Sequence, residues 1–163
     1  MGFLKGNDGK AITLRNKDIT ADLRDETITK TLSSDWYGTG AGQNLQEYGD
    51  QISDFETTLS GKFSSVIIEM NITMRGSFNG VGTIMVWRNS VPLDYATDLS
   101  NLVGILINSH NNTATWWPRE TILIDNNPGT SPTYYFTGQR PTNDLQLRSS
   151  DSSVSIKPLR AGV

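Results

Sequence analysis

The chain has 163 residues, a formal net charge of −3 and a pI near 5.1. This acidic balance argues against a nucleic-acid-binding protein, which normally has a basic patch and a high pI. The absence of cysteine excludes a disulfide framework and a thiolate metal site, and no apolar run of about 18 residues is present to span a membrane. The length fits one domain that can bury about 70% of the surface of the unfolded chain.

The N-terminal segment differs from the rest of the chain by its charge. Residues 1–35 hold 12 of the 31 charged residues (14 basic and 17 acidic) and few large apolar ones. Their short β-like runs need a partner surface, because a lone two-stranded ribbon is marginal in water. We therefore predict an extended N-terminal anchoring arm over residues 1–35, with a flexible tail as the alternative.

A Gly-rich run follows Trp36-Tyr37. It follows no apolar strand, opens no helix and lacks the Lys-Ser/Thr of a phosphate loop. Residues 36–50 are therefore predicted to be a Gly-rich linker. The first residues of the chain lack the apolar segment of a secretory signal, so we expect synthesis in the cytoplasm.

The longest strand pattern in the sequence flanks Asn79-Gly80. This dipeptide favours a two-residue type I′ β-hairpin, because both central positions of that turn require positive φ. In such a hairpin the numbers of facing residues sum to 159, so that Asn71 would face Arg88. The same register puts Met74 and Trp87 on one apolar face, and it predicts a half-buried antiparallel sheet.

Further short strands are spaced about ten residues apart and are separated by turn-forming residues. The apolar run 101–108 is typical of a strand covered on both faces, and segments 145–148 and 154–157 flank a polar turn and predict a second hairpin. Helical periodicity over ten residues is absent. We therefore predict an all-β fold, an antiparallel β-sandwich of jelly-roll type with an extended N-terminal arm, the sandwich covering residues 51–163. The remaining predicted strands are 52–59, 121–125 and 133–137.

Residues suited to catalysis or metal binding are few. His110 is the single histidine, and without a second histidine or any cysteine it favours neither a transition-metal site nor a nucleophilic triad. Asp54 and Glu56 could support glycoside cleavage if two carboxylates approached within about 5–9.5 Å, but alternating acidic residues are more typical of a solvated strand face. We predict no catalytic residue, no metal site and no cofactor.

The segment Trp116-Trp117-Pro118-Arg119 lies in a predicted loop. Two adjacent tryptophans cannot both point inward on a strand, and exposed Trp and Arg are favoured at protein interfaces and sugar-stacking sites. A loop tryptophan folded over the end of the sandwich is the alternative. The residues that we single out as candidate partner or glycan contacts are Trp116, Trp117, Arg119 and Tyr134.

Residues 51–163 resemble the β-sandwich (jelly-roll) modules of tailed-bacteriophage virions, which occur in capsid decoration and head-fibre proteins and in tail-fibre tips. The resemblance is carried by three segments, SVIIEMNITMRGSFNGVGTIMVWRN, ILIDNNPGTSPTYYF and LQLRSSDSSVSIKPLRAGV. Proteins of this kind are usually homotrimers that bind capsid, tail or host surface without cofactors. Residues 1–49 lie outside the resemblance, and the chain has no collagen-like or heptad shaft.

The resemblance implies a non-enzymatic structural protein on the virion surface. This would be a capsid decoration (cement) or fibre-knob subunit that docks on other virion proteins by its arm and exposes the sandwich. A short chain beginning at its own Met1 favours a self-contained subunit over a full receptor-binding fibre. The alternatives are a tail-fibre tip that binds a host-surface glycan and a polysaccharide depolymerase. Neither nucleic-acid binding nor membrane insertion is expected.

Overall fold

The computed structural model of the protein describes residues 27–38, 50–76, 80–91, 98–110, 115–139 and 145–160. Within these ranges it contains eleven strands and two short 3₁₀ helices, and none of its helices has the length and hydropathy needed to cross a membrane. All strand pairs are antiparallel and form two sheets, which confirms the predicted all-β sandwich. The strands are β1 (Ile28–Thr31), β2 (Trp36–Gly38), β3 (Asp50–Gln51), β4 (Thr57–Thr58), β5 (Ser65–Gly76), β6 (Gly80–Arg88), β7 (Leu102–His110), β8 (Trp117–Asp125), β9 (Thr133–Gln139), β10 (Leu145–Leu147) and β11 (Ser153–Leu159).

The six-stranded sheet is organised around β5, which pairs along both of its edges. β8 runs along one edge over residues 66–74 of β5. β11 and β10 share the opposite edge and lie end to end along it. β1 extends the sheet beyond β11, and β2 extends it beyond β10. As a result, β8 is the lateral strand on one side of this sheet.

The five-stranded sheet has β6 at its centre, between β7 and β9. The short strands β3 and β4 pair with the far edge of β9. This leaves β7 as the lateral strand on the other side. Cα atoms of β7 and β8 approach within 8 Å, so the lateral strands of the two sheets lie side by side. We call this side of the sandwich the β7–β8 edge.

Alternation along the strands places one face of each sheet in a common interior. On β5 the even-numbered residues from Val66 to Met74 are buried. Phe55 packs edge-to-face on Phe136 of β9, with ring centroids 5.7 Å apart. Full burial of each such side chain stabilises the fold by about 1.5–3 kcal/mol. The same interior includes Ile84, Val86, Tyr134, Val154 and Ile156.

The hairpin predicted across Asn79-Gly80 is wrong. β5 lies in the six-stranded sheet and β6 in the five-stranded sheet, and within the described ranges each pairs with other strands. Asn71 therefore lies opposite Glu120 of β8 rather than opposite Arg88. The cause is the apolar run at residues 84–87, which suits both faces of a central strand, so alternation alone cannot assign its partner. Residues 77–79 lie outside the described residues.

Two further strand predictions are also wrong. β7 is a lateral strand with exposed isoleucines at 105 and 107, rather than a strand covered on both faces. β10 and β11 do not pair with each other as a second hairpin, because both pair with β5. β5 has 12 residues, which is long enough to accommodate both strands end to end along one edge.

β1 and β2 come from the segments that the sequence analysis assigns to the arm and the linker. Leu32 is buried in the common interior, and Trp36 Nε1 donates a hydrogen bond to the carbonyl of Gln51 at 3.2 Å. Asp54 Oδ2 accepts hydrogen bonds from Ser33 N at 2.6 Å and Ser33 Oγ at 2.8 Å, and these bonds hold the pKa of Asp54 below its usual value. Residues 27–38 thus contribute to the sandwich. The anchoring arm stays a prediction for residues 1–26, which lie outside the described residues.

Candidate functional site

A row of side chains crosses the outer face of the six-stranded sheet at the end where β8 begins. Tyr37 of β2 lies opposite Gln146 of β10, and Gln146 lies opposite Arg75 of β5. Arg75 Nε donates a hydrogen bond to Gln146 Oε1 at 2.6 Å. The guanidinium carbon of Arg75 lies 4.4 Å from the centroid of the Trp116 ring, within cation–π range. We call Tyr37, Gln146, Arg75 and Trp116 the aromatic row.

Charged groups surround the Trp116 end of the aromatic row. The guanidinium carbon of Arg148 lies 5.8 Å from the centroid of the same ring. Asp35 accepts hydrogen bonds from the backbone N and the Oγ of Ser149, both at 2.8 Å. These hydrogen bonds, and the nearby charges of Arg148 and Arg75, hold the pKa of Asp35 below its usual value. The surface thus combines aromatic rings, guanidinium groups and a carboxylate that stays ionised.

The structure separates the four candidate contacts that sequence analysis singled out. Trp116 is half-buried beside Arg75, on the outer side of the sheet. Trp117 and Arg119 are half-buried and share the opposite side of β8, since alternate residues of a strand point to opposite faces. Tyr134 is fully buried in the other sheet. Only Trp116 of the four therefore belongs to the aromatic row, and Tyr134 offers no exposed ring to a partner.

Tyr134 instead belongs to a polar network that joins the two sheets. Its hydroxyl donates a hydrogen bond to Asp125 Oδ2 at 2.9 Å. Arg88 Nη1 donates to Asp125 Oδ1 at 2.7 Å and to the carbonyl of Asn127 at 2.5 Å. Asp125 is on β8 whereas Arg88 and Tyr134 are on β6 and β9, so the contacts cross the interior. This arrangement satisfies a buried carboxylate with a cation and a hydroxyl, which is the condition for keeping a charge inside a protein.

We expect alkaline pH to destabilise the wild-type protein more steeply than Tyr134→Phe. Burial, followed by the charge of Asp125 and the hydrogen bond to it, raises the pKa of Tyr134 above its usual value. The folded state therefore holds the phenolic proton more tightly than the unfolded state. The resulting stabilisation is complete below the unfolded pKa of about 10 and is lost as the pH rises above it.

Thermal unfolding between pH 8 and pH 11 measures this effect. Tyr37→Phe, at an exposed position, is the matched control and should keep the wild-type dependence on pH. Equal losses of melting temperature for wild type and Tyr134→Phe would contradict the expectation.

Sequence reasoning missed three members of the aromatic row and its neighbour Arg148. Arg75 and Gln146 are 71 positions apart in the chain, and neither lies in a recognisable motif. They meet only because β10 pairs with β5, a pairing that no local pattern indicates. The one available signal was Trp116, whose exposure the Trp-Trp pair suggested.

The carboxylates considered for glycoside cleavage serve local structure. Asp54 lies in the 3₁₀ helix Ser53–Phe55 and accepts the two hydrogen bonds from Ser33 described above. Glu56 Oε2 accepts a hydrogen bond from Gln51 Nε2 at 2.8 Å. Within the described part of the chain no group of three or more His, Cys, Asp or Glu side chains could hold a metal ion. The side chain of His110 lies outside that part.

No protein-family model and no curated protein matches the chain. Several solved structures show some similarity to it. A structure of infectious bursal disease virus, Gt strain, has 16% sequence identity and a TM-score of 0.50, covering 91% of this chain and 37% of that chain. The T13 particle of the same virus has 16% identity and a TM-score of 0.45, covering 81% and 30%.

The structure of the tumour-necrosis-factor protein Eiger from S. frugiperda has 8% identity and a TM-score of 0.44, covering 85% of this chain and 96% of that chain. The chain spans about a third of the length of the two viral chains, and it is similar in fold to the chain of the Gt strain structure.

Proposed function

We propose that the chain is a non-enzymatic structural subunit of a virus particle, a capsid decoration or fibre-knob protein. The observation that carries the proposal is a helix-poor two-sheet sandwich whose fold is similar to that of a chain in an infectious bursal disease virus structure. Two charged side chains between the sheets, Asp125 and Arg88, make contacts that hold the sheets together. Such a structural use of these charges is consistent with the proposed role. Such a protein acts through its outer surfaces. From the resemblance to tailed-phage modules we further propose that the chain lies on the surface of the particle.

The proposed anchor is the segment that precedes β1. β1 lies on the side of its sheet opposite β8, so the point at which the described chain begins is away from the β7–β8 edge. A charged segment such as residues 1–26 can pair with, or lie along, a second virion protein.

Deletion of residues 1–26 tests the proposal. The truncated chain retains β1 and should fold with an unchanged thermal transition, yet it should be missing from purified particles that incorporate the full chain. A variant in which the order of residues 1–26 is scrambled keeps the length and charge of the segment. As the matched control, it should also be missing from the purified particles. Immunogold labelling of particles locates the full chain. Absence of the full chain from particles would overturn the proposed function, and normal incorporation of the truncated chain would overturn the anchor.

A second function, attachment to a host-surface glycan, is favoured by the aromatic row. The guanidinium groups of Arg75 and Arg148 lie beside the Trp116 ring. Tyr37 exposes 57% of its surface on the same face of the sheet. Planar rings can stack on sugar rings while Gln146 and the guanidinium groups supply hydrogen-bond donors to hydroxyl, carboxylate or sulfate groups. The charges of Arg75 and Arg148 are offset by the carboxylates of Asp35 and Asp151, so the surface suits a glycan through ring stacking and hydrogen bonds rather than through net charge.

Glycan-array binding by the wild type and by Trp116→Ala tests this second function. Loss of one stacking ring should weaken binding by about tenfold or more, with no change in thermal stability beyond about 1 kcal/mol, the usual range for a partly exposed position. Trp117→Phe, on the other side of the strand, is the control and should bind as the wild type does. A wild type that binds no glycan, or a Trp116→Ala variant that binds equally well, would overturn it.

A further inference from the structure

A groove of about 550 Å³ lies on the outer face of the six-stranded sheet, where β5 and β8 run side by side. Its two walls are neighbouring cross-strand pairs of outward-pointing side chains, about 7 Å apart along the strands. The pair between the walls points into the sandwich, so the backbone of the two strands forms the floor. The three facing pairs that line the groove are Glu69 with Ile122, Met70 with Thr121, and Asn71 with Glu120.

The walls of the groove carry hydrogen-bonding groups that suit hydroxyl groups of a ligand. Asn71 and Glu120 are exposed, and the Asn71 amide both donates and accepts hydrogen bonds. Glu69 contacts Lys157, with Nζ and Oε2 2.6 Å apart, and an ionised carboxylate can accept further hydrogen bonds. Ile122 is 64% exposed and adds apolar surface for the C–H groups of a sugar ring. The two carboxylates would repel an anion, so the groove favours an uncharged ligand rich in hydroxyl groups.

The groove and the aromatic row lie on the same face of the sheet and are connected along β8. The register of β5 with β8 puts Trp116 at the level of Arg75. Even-numbered residues of β8 point outward, so Pro118, which is exposed and uncharged, lies between Trp116 and Glu120. Four residues of extended strand from Trp116 to Glu120 span about 14 Å. A single sugar ring is shorter than this distance, whereas a short oligosaccharide can cover it.

We propose that the groove is a second glycan subsite, and that the ligand is an uncharged linear oligosaccharide lying along β8. One sugar stacks on Trp116, and a sugar further along the chain is held in the groove by hydrogen bonds to Asn71 and Glu120. This inference rests on the glycan attachment proposed above and names the class of glycan. A single sugar reaches one subsite only, whereas a linear chain reaches both. The affinity therefore rises with chain length until both subsites are filled.

A glycan array that carries neutral and acidic chains of different lengths, from single sugars to hexasaccharides, tests the proposal. Titration calorimetry with the neutral chains that bind then gives their affinities. The wild type should bind the long neutral chains about tenfold or more tightly than single sugars of the same type. Acidic chains of equal length should bind less tightly than neutral ones, because the carboxylates of Glu69 and Glu120 face them. Equal affinity for single sugars and long chains, or a preference for acidic chains, would overturn the proposal.

The double variant Asn71→Ala with Glu120→Ala removes the hydrogen-bonding groups of the groove and keeps Trp116. Its affinity for the long neutral chains should fall by about tenfold, with short-chain binding and the thermal transition unchanged.

The matched control is Thr58→Ala with Thr133→Ala, an exposed cross-strand pair on the other sheet whose hydroxyl oxygens are 2.9 Å apart. It should keep the wild-type dependence on chain length. Unchanged long-chain affinity in the groove variant would overturn the second subsite and leave glycan attachment standing. A wild type that binds no glycan would overturn glycan attachment itself, and the subsite with it.

Discussion

Asp125→Ala should lower the free energy of unfolding by about 3–5 kcal/mol, the range observed when one partner of a buried ion pair is removed. The Asp125 carboxylate accepts hydrogen bonds from Arg88 and Tyr134 of the other sheet and from the backbone N of Asn127. Its removal leaves a guanidinium group without its counter-charge and a buried hydroxyl without its acceptor. Against a total stability of about 5–15 kcal/mol, this is a large loss. Chemical denaturation monitored by tryptophan fluorescence measures it.

The exposed ion pair between Arg148 and Asp151 provides the matched control. Its nitrogen and oxygen atoms are 3.3 Å apart, and both side chains are 48% exposed. Asp151→Ala should therefore change the free energy of unfolding by less than about 1 kcal/mol. The paired change Arg88→Met with Asp125→Leu should be less damaging than Asp125→Ala, because no unpaired charge remains. Similar losses for Asp125→Ala and Asp151→Ala would contradict the assigned role of the network.

Trp87→Ala should destabilise the protein by about 3–5 kcal/mol, the usual consequence of truncating a buried aromatic side chain. Trp87 is fully buried although it lies on the face of β6 opposite Ile84 and Val86. Its Nε1 donates a hydrogen bond to Thr137 Oγ1 at 3.0 Å. The loss of packing contacts and the loss of this hydrogen bond both lower the free energy of unfolding. For a domain of this size the melting temperature should fall by roughly 2–4 °C per kcal/mol.

Two substitutions separate the contributions of packing and hydrogen bonding at Trp87. Trp87→Phe removes the Nε1 donor and little of the apolar surface, so its loss should be well below that of Trp87→Ala. Thr137→Val leaves the indole N–H without its acceptor and should destabilise by about 1–3 kcal/mol. A loss under 1 kcal/mol for Trp87→Ala would show that this face of β6 is solvated rather than buried.

The sequence indicated the all-β sandwich because alternation on β5 is unambiguous. Apolar residues at even positions from Val66 to Met74 assign the inward face whichever strands pair with β5. The turn at residues 126–129 was equally readable, since Gly129 adopts a φ of 76° that favours glycine. Both features are local, and local patterns are what a single sequence reports.

The partners of each strand could not be predicted in the same way. β6 is apolar on both faces at residues 84–87, so its pattern fits a hairpin with β5 and a central strand of another sheet equally well. The apolar run of β7 suggested cover on both faces, whereas Ile105 and Ile107 are exposed. The aromatic row depends on pairings between distant parts of the chain, because β10 lies between β5 and β2.

Disulfide formation between introduced cysteines tests the placement of β5 and β6 in opposite sheets most directly. The chain has no cysteine of its own, so each bond reports on one pair of positions. Asn71 and Glu120 are opposite each other on β5 and β8, at a Cα separation of about 4.5–5.5 Å that suits a disulfide. Asn71→Cys with Glu120→Cys should cross-link within one chain, whereas Asn71→Cys with Arg88→Cys should stay reduced. Cross-linking of the second pair and not of the first would contradict the account, because it would place β5 and β6 side by side in one sheet as a hairpin.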